Sequence, residues 1–160
     1  MLVPLSAFGE NVEDSLIVGM ISTRTTEIRP LTPQERDIVS LYGVVYERLV
    51  TVDDNGLPQP LLAESWTESG GGQTWTFTLR ENITFSDGTP LTAQDVAYSV
   101  SCIFTSEKHK NLQMQIGRVY SSAFNGEVYL ATEGADNAQL PQRMSIPIIK
   151  AGSVGDEIPV

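Results

Sequence analysis

Few side chains in this sequence are suited to covalent or acid–base chemistry. There is one histidine, His109, and one cysteine, Cys102. His109 sits in Glu107-Lys108-His109-Lys110, a charged tract that reads as solvated surface rather than as a general base held by a partner. Cys102 adjoins Ile103 in a helical apolar pattern with no basic neighbour to stabilise a thiolate, so it reads as a small buried hydrophobe. Asp53, Asn55 and Gly56 begin like a calcium loop, but Thr51 and Leu62 stand at two positions where that template needs ligands. Gly70-Gly71-Gly72 lacks the Lys and Ser/Thr that follow in a phosphate loop and reads as a hairpin turn. Asn82-Ile83-Thr84 matches a glycosylation sequon, a short pattern with consequences only in a eukaryotic secretory route. A hydrolase would need paired carboxylates, from Asp53/Asp54 or from Glu64 with Asp87, and nothing local brings these together. The expectation is a protein without catalytic residues, metal ligands or cofactors.

Composition narrows the class. The chain has 160 residues, 20 acidic and 10 basic side chains, a net charge of −10 and 41% hydrophobic residues. This is one domain, or one domain with a piece of another. The acidic balance argues against nucleic acid or an anionic membrane as partner, since phosphate recognition needs clustered Lys and Arg. A lone cysteine excludes an internal disulfide. No apolar run approaches the ~20 residues that span a bilayer. Met1 to Leu5 lacks a basic n-region, a long apolar stretch and a cleavage site, so no signal is visible. The C-terminus, Asp156 to Val160, is neither a polar tail nor a helix end. Both ends therefore read as cuts within a longer protein.

The elements that must position these residues are legible in places. Ser15 to Ile21 is an apolar run suited to a buried strand. Thr32-Pro33-Gln34-Glu35 is a capped helix start, with a helix carrying Ile38, Leu41, Tyr42, Val45 and Leu49 on one face. Asp53 to Gly56 is a turn. Thr74 to Leu79 alternates polar and apolar residues, the period of a half-buried strand. The Gly70–Gly72 tract turns the chain between it and Ala63–Thr67, where Glu64 faces Arg80 as a potential ion pair. Ser86 to Pro90 is a turn in which Gly88 suits positive φ. Thr92 and Asp95 open a helix that buries Val96, Ala97, Val100, Ile103 and Phe104. Ile116–Ser122 and Glu127–Thr132 flank Asn125-Gly126, a strong hairpin signal. A last helix over Asn137–Met144 is interrupted by Pro141, and Ile146–Ile149 reads as a short strand. Without a βαβ rhythm, the fold class is α+β, a mixed or antiparallel sheet with hairpins and a few helices.

Several of these pieces form an ordered set: Tyr46-Glu47-Arg48-Leu49, then Pro60-Leu61-Leu62-Ala63-Glu64-Ser65-Trp66. The aromatic strand ending Leu79-Arg80 follows, then Asp87 to Val96 and its helix. From Leu41 to Val100 the sequence resembles the extracellular solute-binding proteins of family 5, the oligopeptide-, dipeptide- and nickel-binding components of ABC transporters. The segment from Leu140-Pro141 to Ile149 resembles the stretch just before that family's Gly-Thr-Gly-Pro motif.

The resemblance implies an N-terminal fragment of a two-lobed periplasmic-binding-protein fold of the peptide-binding class. Residues 1–14 would be a lead, 15–50 the opening strand and helix of the first lobe, 51–150 a small subdomain attached to it, and 151–160 a truncated return. It implies a solute-capture role for oligopeptides or dipeptides, ABC permease subunits as partners, and a periplasmic or cell-surface lipoprotein location. With the second lobe absent, tight binding by this piece alone is not expected. The family's ligand loop falls, by ungapped reading, on Gln34, Glu35 and Arg36. The same residues carry the helix-start signature, so a contact role and a plain helical role both stand. A second contact zone falls around His109 to Met114, with no residue singled out. The alternative is an α+β structural or protein-interaction domain sharing only the scaffold.

Overall fold

A computed structural model describes Gly43, residues 45–105, 118–133 and 140–152. A short ribbon comes first, β1 (Val50–Val52) paired antiparallel with β2 (Pro58–Pro60). Its turn is built by Asp53, whose carboxylate accepts from the Asn55 and Leu57 N–H groups at 2.9 Å each and from Gln59 Nε2 at 3.1 Å. An acceptor that folds back on the next residues is the usual reason Asp opens a turn.

The main sheet has four antiparallel strands in the order β3-β4-β6-β5, comprising β3 (Ala63–Ser69), β4 (Thr74–Leu79), β5 (Arg118–Phe124) and β6 (Glu127–Glu133). The β5–β6 turn takes φ 49° at Asn125 and 80° at Gly126, the left-handed pair that a two-residue hairpin requires. Alternation decides the faces. Trp75 and Phe77 of β4 lie opposite Leu130 and Val128 of β6, and all four are buried. Trp66 of β3 packs its ring 6.0 Å from that of Phe77. The buried indole of Trp75 donates to the Gly72 carbonyl at 3.2 Å, so its polar edge is satisfied within the turn.

One helix, α1 (Ala93–Thr105), covers the apolar face. Val96, Ala97, Val100, Ile103 and Phe104 are all buried, as the spacing requires. Ser121 of β5 donates to the Ala97 carbonyl at 2.7 Å, pinning helix to sheet. A second short helix, α2 (Leu140–Arg143), adds Leu140 to the same core, and Met144 in the turn after it is buried there too.

Four expectations need correction. The first helix does not reach Leu49. Val45 is helical but 61% exposed, Arg48 forms an isolated bridge and Leu49 lies in a bend, buried in the core through a different element. Two strands flank the Asp53 turn where only a turn was legible. Ile146–Ile149 is not a strand but an extended run with a single bridge, Arg48 to Pro147. Pro141 does not interrupt its helix; it occupies the first turn, where its missing N–H costs nothing. Ser15–Ile21, the Thr32 cap, residues 116–117 and 137–139 lie outside the described residues.

Candidate functional site

Among the described residues a groove of about 240 Å³ is lined chiefly by Tyr46, Glu47, Phe85, Ser86, Leu91 and Ile148. Five separate stretches of chain build it. The Ser86 side comes from a small hairpin in which Phe85 N–H donates to the Thr89 carbonyl at 2.8 Å and Leu91 N–H to the Ile83 carbonyl at 2.9 Å. Gly88 closes its turn with φ 81°. The Glu47 side is set by an antiparallel run against the outgoing chain, with Ile148 N–H donating to the Glu47 carbonyl at 3.0 Å. A volume near 240 Å³ lies below the ~300–1,000 Å³ of ordinary ligand pockets, and the groove is partly open.

The charged groups around it are committed to internal structure. Glu47 pairs with Arg80 at 3.2 Å, both side chains about half exposed. Arg80 was expected to face Glu64. The register shift between Ala63 and Ser65 puts Glu64 in a bulge, and Arg80 reaches the groove side of the molecule instead. Asp87 accepts from the Thr89 hydroxyl at 2.6 Å and the Thr89 N–H at 2.9 Å, and pairs with Lys150 at 3.1 Å. Those Thr89 hydrogen bonds, with Lys150 beside them, hold its carboxyl at about 2.

Asp95 is buried at the start of α1. Burial alone pushes its pKa up; hydrogen bonds from the Ala151 N–H and from the Thr92 hydroxyl and N–H outweigh that, and the net shift is down. The capping motif is therefore read correctly, with one twist. Asp95 accepts from the Thr92 N–H at 2.8 Å, and the Thr92 hydroxyl also donates to Asp95, at 2.7 Å.

Among the described residues no catalytic geometry is assembled. Cys102 is buried, and desolvation raises its thiol pKa, the reverse of an activated nucleophile. The carboxylates of Asp53 and Asp87 are each occupied by their own turns. Among the described residues no cluster of three His, Cys, Asp or Glu side chains is arranged to hold a metal ion, and no helix is long and apolar enough to cross a membrane. Gln34, Glu35 and Arg36, as well as His109 to Met114, lie outside the described residues. The groove residues are legible in the sequence only as framework motifs. Their convergence leaves no local trace, because each lining stretch contributes at most four residues.

Comparison with known proteins locates this arrangement. The model for bacterial extracellular solute-binding proteins, family 5 (Middle), matches residues 58–142, more than half of the chain. The nickel-binding periplasmic protein of Escherichia coli is 40% identical over 73 residues, 45% of this chain and 14% of that protein. The periplasmic oligopeptide-binding protein OppA of Salmonella typhimurium is 39% identical over 83 residues, 50% of this chain and 15% of that protein. The aligned part thus spans about a seventh of the length of these relatives. The fold matches the oligopeptide-binding protein AppA from Bacillus subtilis, solved with a nonapeptide, at a TM-score of 0.64 and 23% identity. That superposition covers 78% of this chain and 25% of AppA, so the fold is part of a periplasmic-binding protein of the peptide-binding class.

Proposed function

The chain belongs to the bacterial extracellular solute-binding proteins, family 5, and from that membership we propose that it is part of the solute-capture component of an ABC importer. The match over residues 58–142 carries this reading. Oligopeptides or dipeptides are the favoured solutes, with the ABC permease subunits as protein partners. The place of action is outside the cytoplasm, in the periplasm or as a cell-surface lipoprotein. Capture is by hinge closure of two lobes around the solute, without covalent chemistry.

Within this reading residues 1–14 lead into the first lobe, and 15–50 are its opening strand and helix. Residues 51–150 are the attached small subdomain, and 151–160 begin the return. Gln34, Glu35 and Arg36 are the solute-contact candidates. The chain alone grips weakly: its motif side chains serve caps, turns and core, and the groove is small and partly open. Isothermal titration of the chain with di- to pentapeptides, and with histidine-chelated nickel, tests this. No binding tighter than about millimolar is expected, and a Kd near about 1 μM would overturn the need for a second wall.

A further inference from the structure

The chain comes into the described unit along Glu47–Leu49 and leaves it along Ile146–Gly152, and the two runs lie antiparallel. Leu49 N–H donates to the Ile146 carbonyl at 3.3 Å, Arg48 bridges Pro147, and Ile148 N–H donates to the Glu47 carbonyl at 3.0 Å. Backbone pairing ends there. Beyond Ile148 the outgoing chain is held by side chains of α1. Ser99, fully buried, accepts from the Ile149 N–H at 3.0 Å while its own hydroxyl donates to the Asp95 carbonyl oxygen at 2.8 Å. Asp95 divides its carboxylate: Oδ2 takes the two Thr92 donors, and Oδ1 accepts from the Ala151 N–H at 2.8 Å.

A helix cap needs only one of those oxygens. Keeping a carboxylate buried and giving its second oxygen to a residue 56 positions away is costly unless the far contact does something. We propose that Asp95 and Ser99 form a clip that fixes the direction in which the chain leaves this unit, so that the first turns of α1 set the path of Ile149 to Gly152. Buried Ile148 and Ile149 anchor the run, and the clip acts on the residues next to that anchor. The Lys150–Asp87 pair is about half exposed on both sides, so water and salt screen it and it is accessory.

Amide hydrogen exchange and residual dipolar couplings on the full chain test the clip. In Asp95→Ala, which removes both acceptor oxygens, the Ala151 amide should exchange at least about tenfold faster, the factor one charge-assisted hydrogen bond carries. Ile148 and the β4 amides should keep their protection, and the Ala151 and Gly152 couplings should shrink towards zero. Ser99→Ala should expose Ile149 in the same way. Thr92→Ala, which removes a capping donor and leaves Oδ1 in place, should loosen the start of α1 without changing Ala151. Lys150→Gln should leave Ala151 protected. Unchanged protection of Ala151 in Asp95→Ala would overturn the proposal. So would a uniform loss across the unit, or Thr92→Ala exposing Ala151 as much as Asp95→Ala does. If Asp95→Ala does not fold, the contrast between Ser99→Ala and Thr92→Ala decides in the same terms.

Discussion

Phe77 is the sharpest test of how this framework holds together. It is fully buried in the central strand β4, opposite Val128 on one side and Trp66 on the other. A phenylalanine buries about 150–250 Å². At about 25 cal/mol per Å² that is about 4–6 kcal/mol, an upper bound because the unfolded chain already hides some of this surface. Subtracting what alanine retains, and adding the cavity, gives about 3–5 kcal/mol for Phe77→Ala. With a urea m-value of about 1.5 kcal/mol/M, the unfolding midpoint should fall by about 2–3 M with m unchanged. Phe77→Leu keeps most of the volume and should cost about 1 kcal/mol, which keeps the series measurable if the alanine variant is already unfolded. Phe124→Ser is the control: 65% exposed on the outer strand, it should change stability by less than about 0.5 kcal/mol. Equal losses for Phe77→Leu and Phe124→Ser would mean that the face covered by α1 is not the core. A loss below about 1 kcal/mol for Phe77→Ala would mean the same.

Three further outcomes follow from particular contacts. The Asp87 carboxyl should titrate near 2 by NMR and move towards 3.8 in Thr89→Ala; because the folded value is depressed, its contribution to stability is present above about 3.8 and disappears as pH falls through about 2. Glu47→Gln should weaken the fold by at most about 1 kcal/mol, an effect that fades with added salt, whereas Glu64→Gln should leave the Arg80 side-chain resonances in place; urea melts at two ionic strengths and NMR check both. Cys102 should react with a thiol reagent at pH 8 only as fast as the protein opens, since burial both shields it and raises its pKa; full reaction within seconds in native buffer would contradict its placement.

The sequence by itself determined the features whose cause lies within a few residues. The period of Thr74–Leu79 selects a two-sided strand, Asn125-Gly126 selects its hairpin turn, and Thr92 with Asp95 starts a helix, because backbone dihedrals and side-chain period are local quantities. The ordered motifs from Tyr46 to Val96 likewise made the family legible. Only the tertiary structure decided where the first helix stops, which acid Arg80 meets, and that Glu47–Leu49 runs beside Ile146–Ile148. The last of these joins segments about a hundred residues apart through backbone N–H and C=O groups that every residue carries, so no side-chain pattern announces it. Asp95 shows both sides at once. Its position three residues after Thr92 marks it as a cap, and only folding reveals that its second oxygen belongs to Ala151.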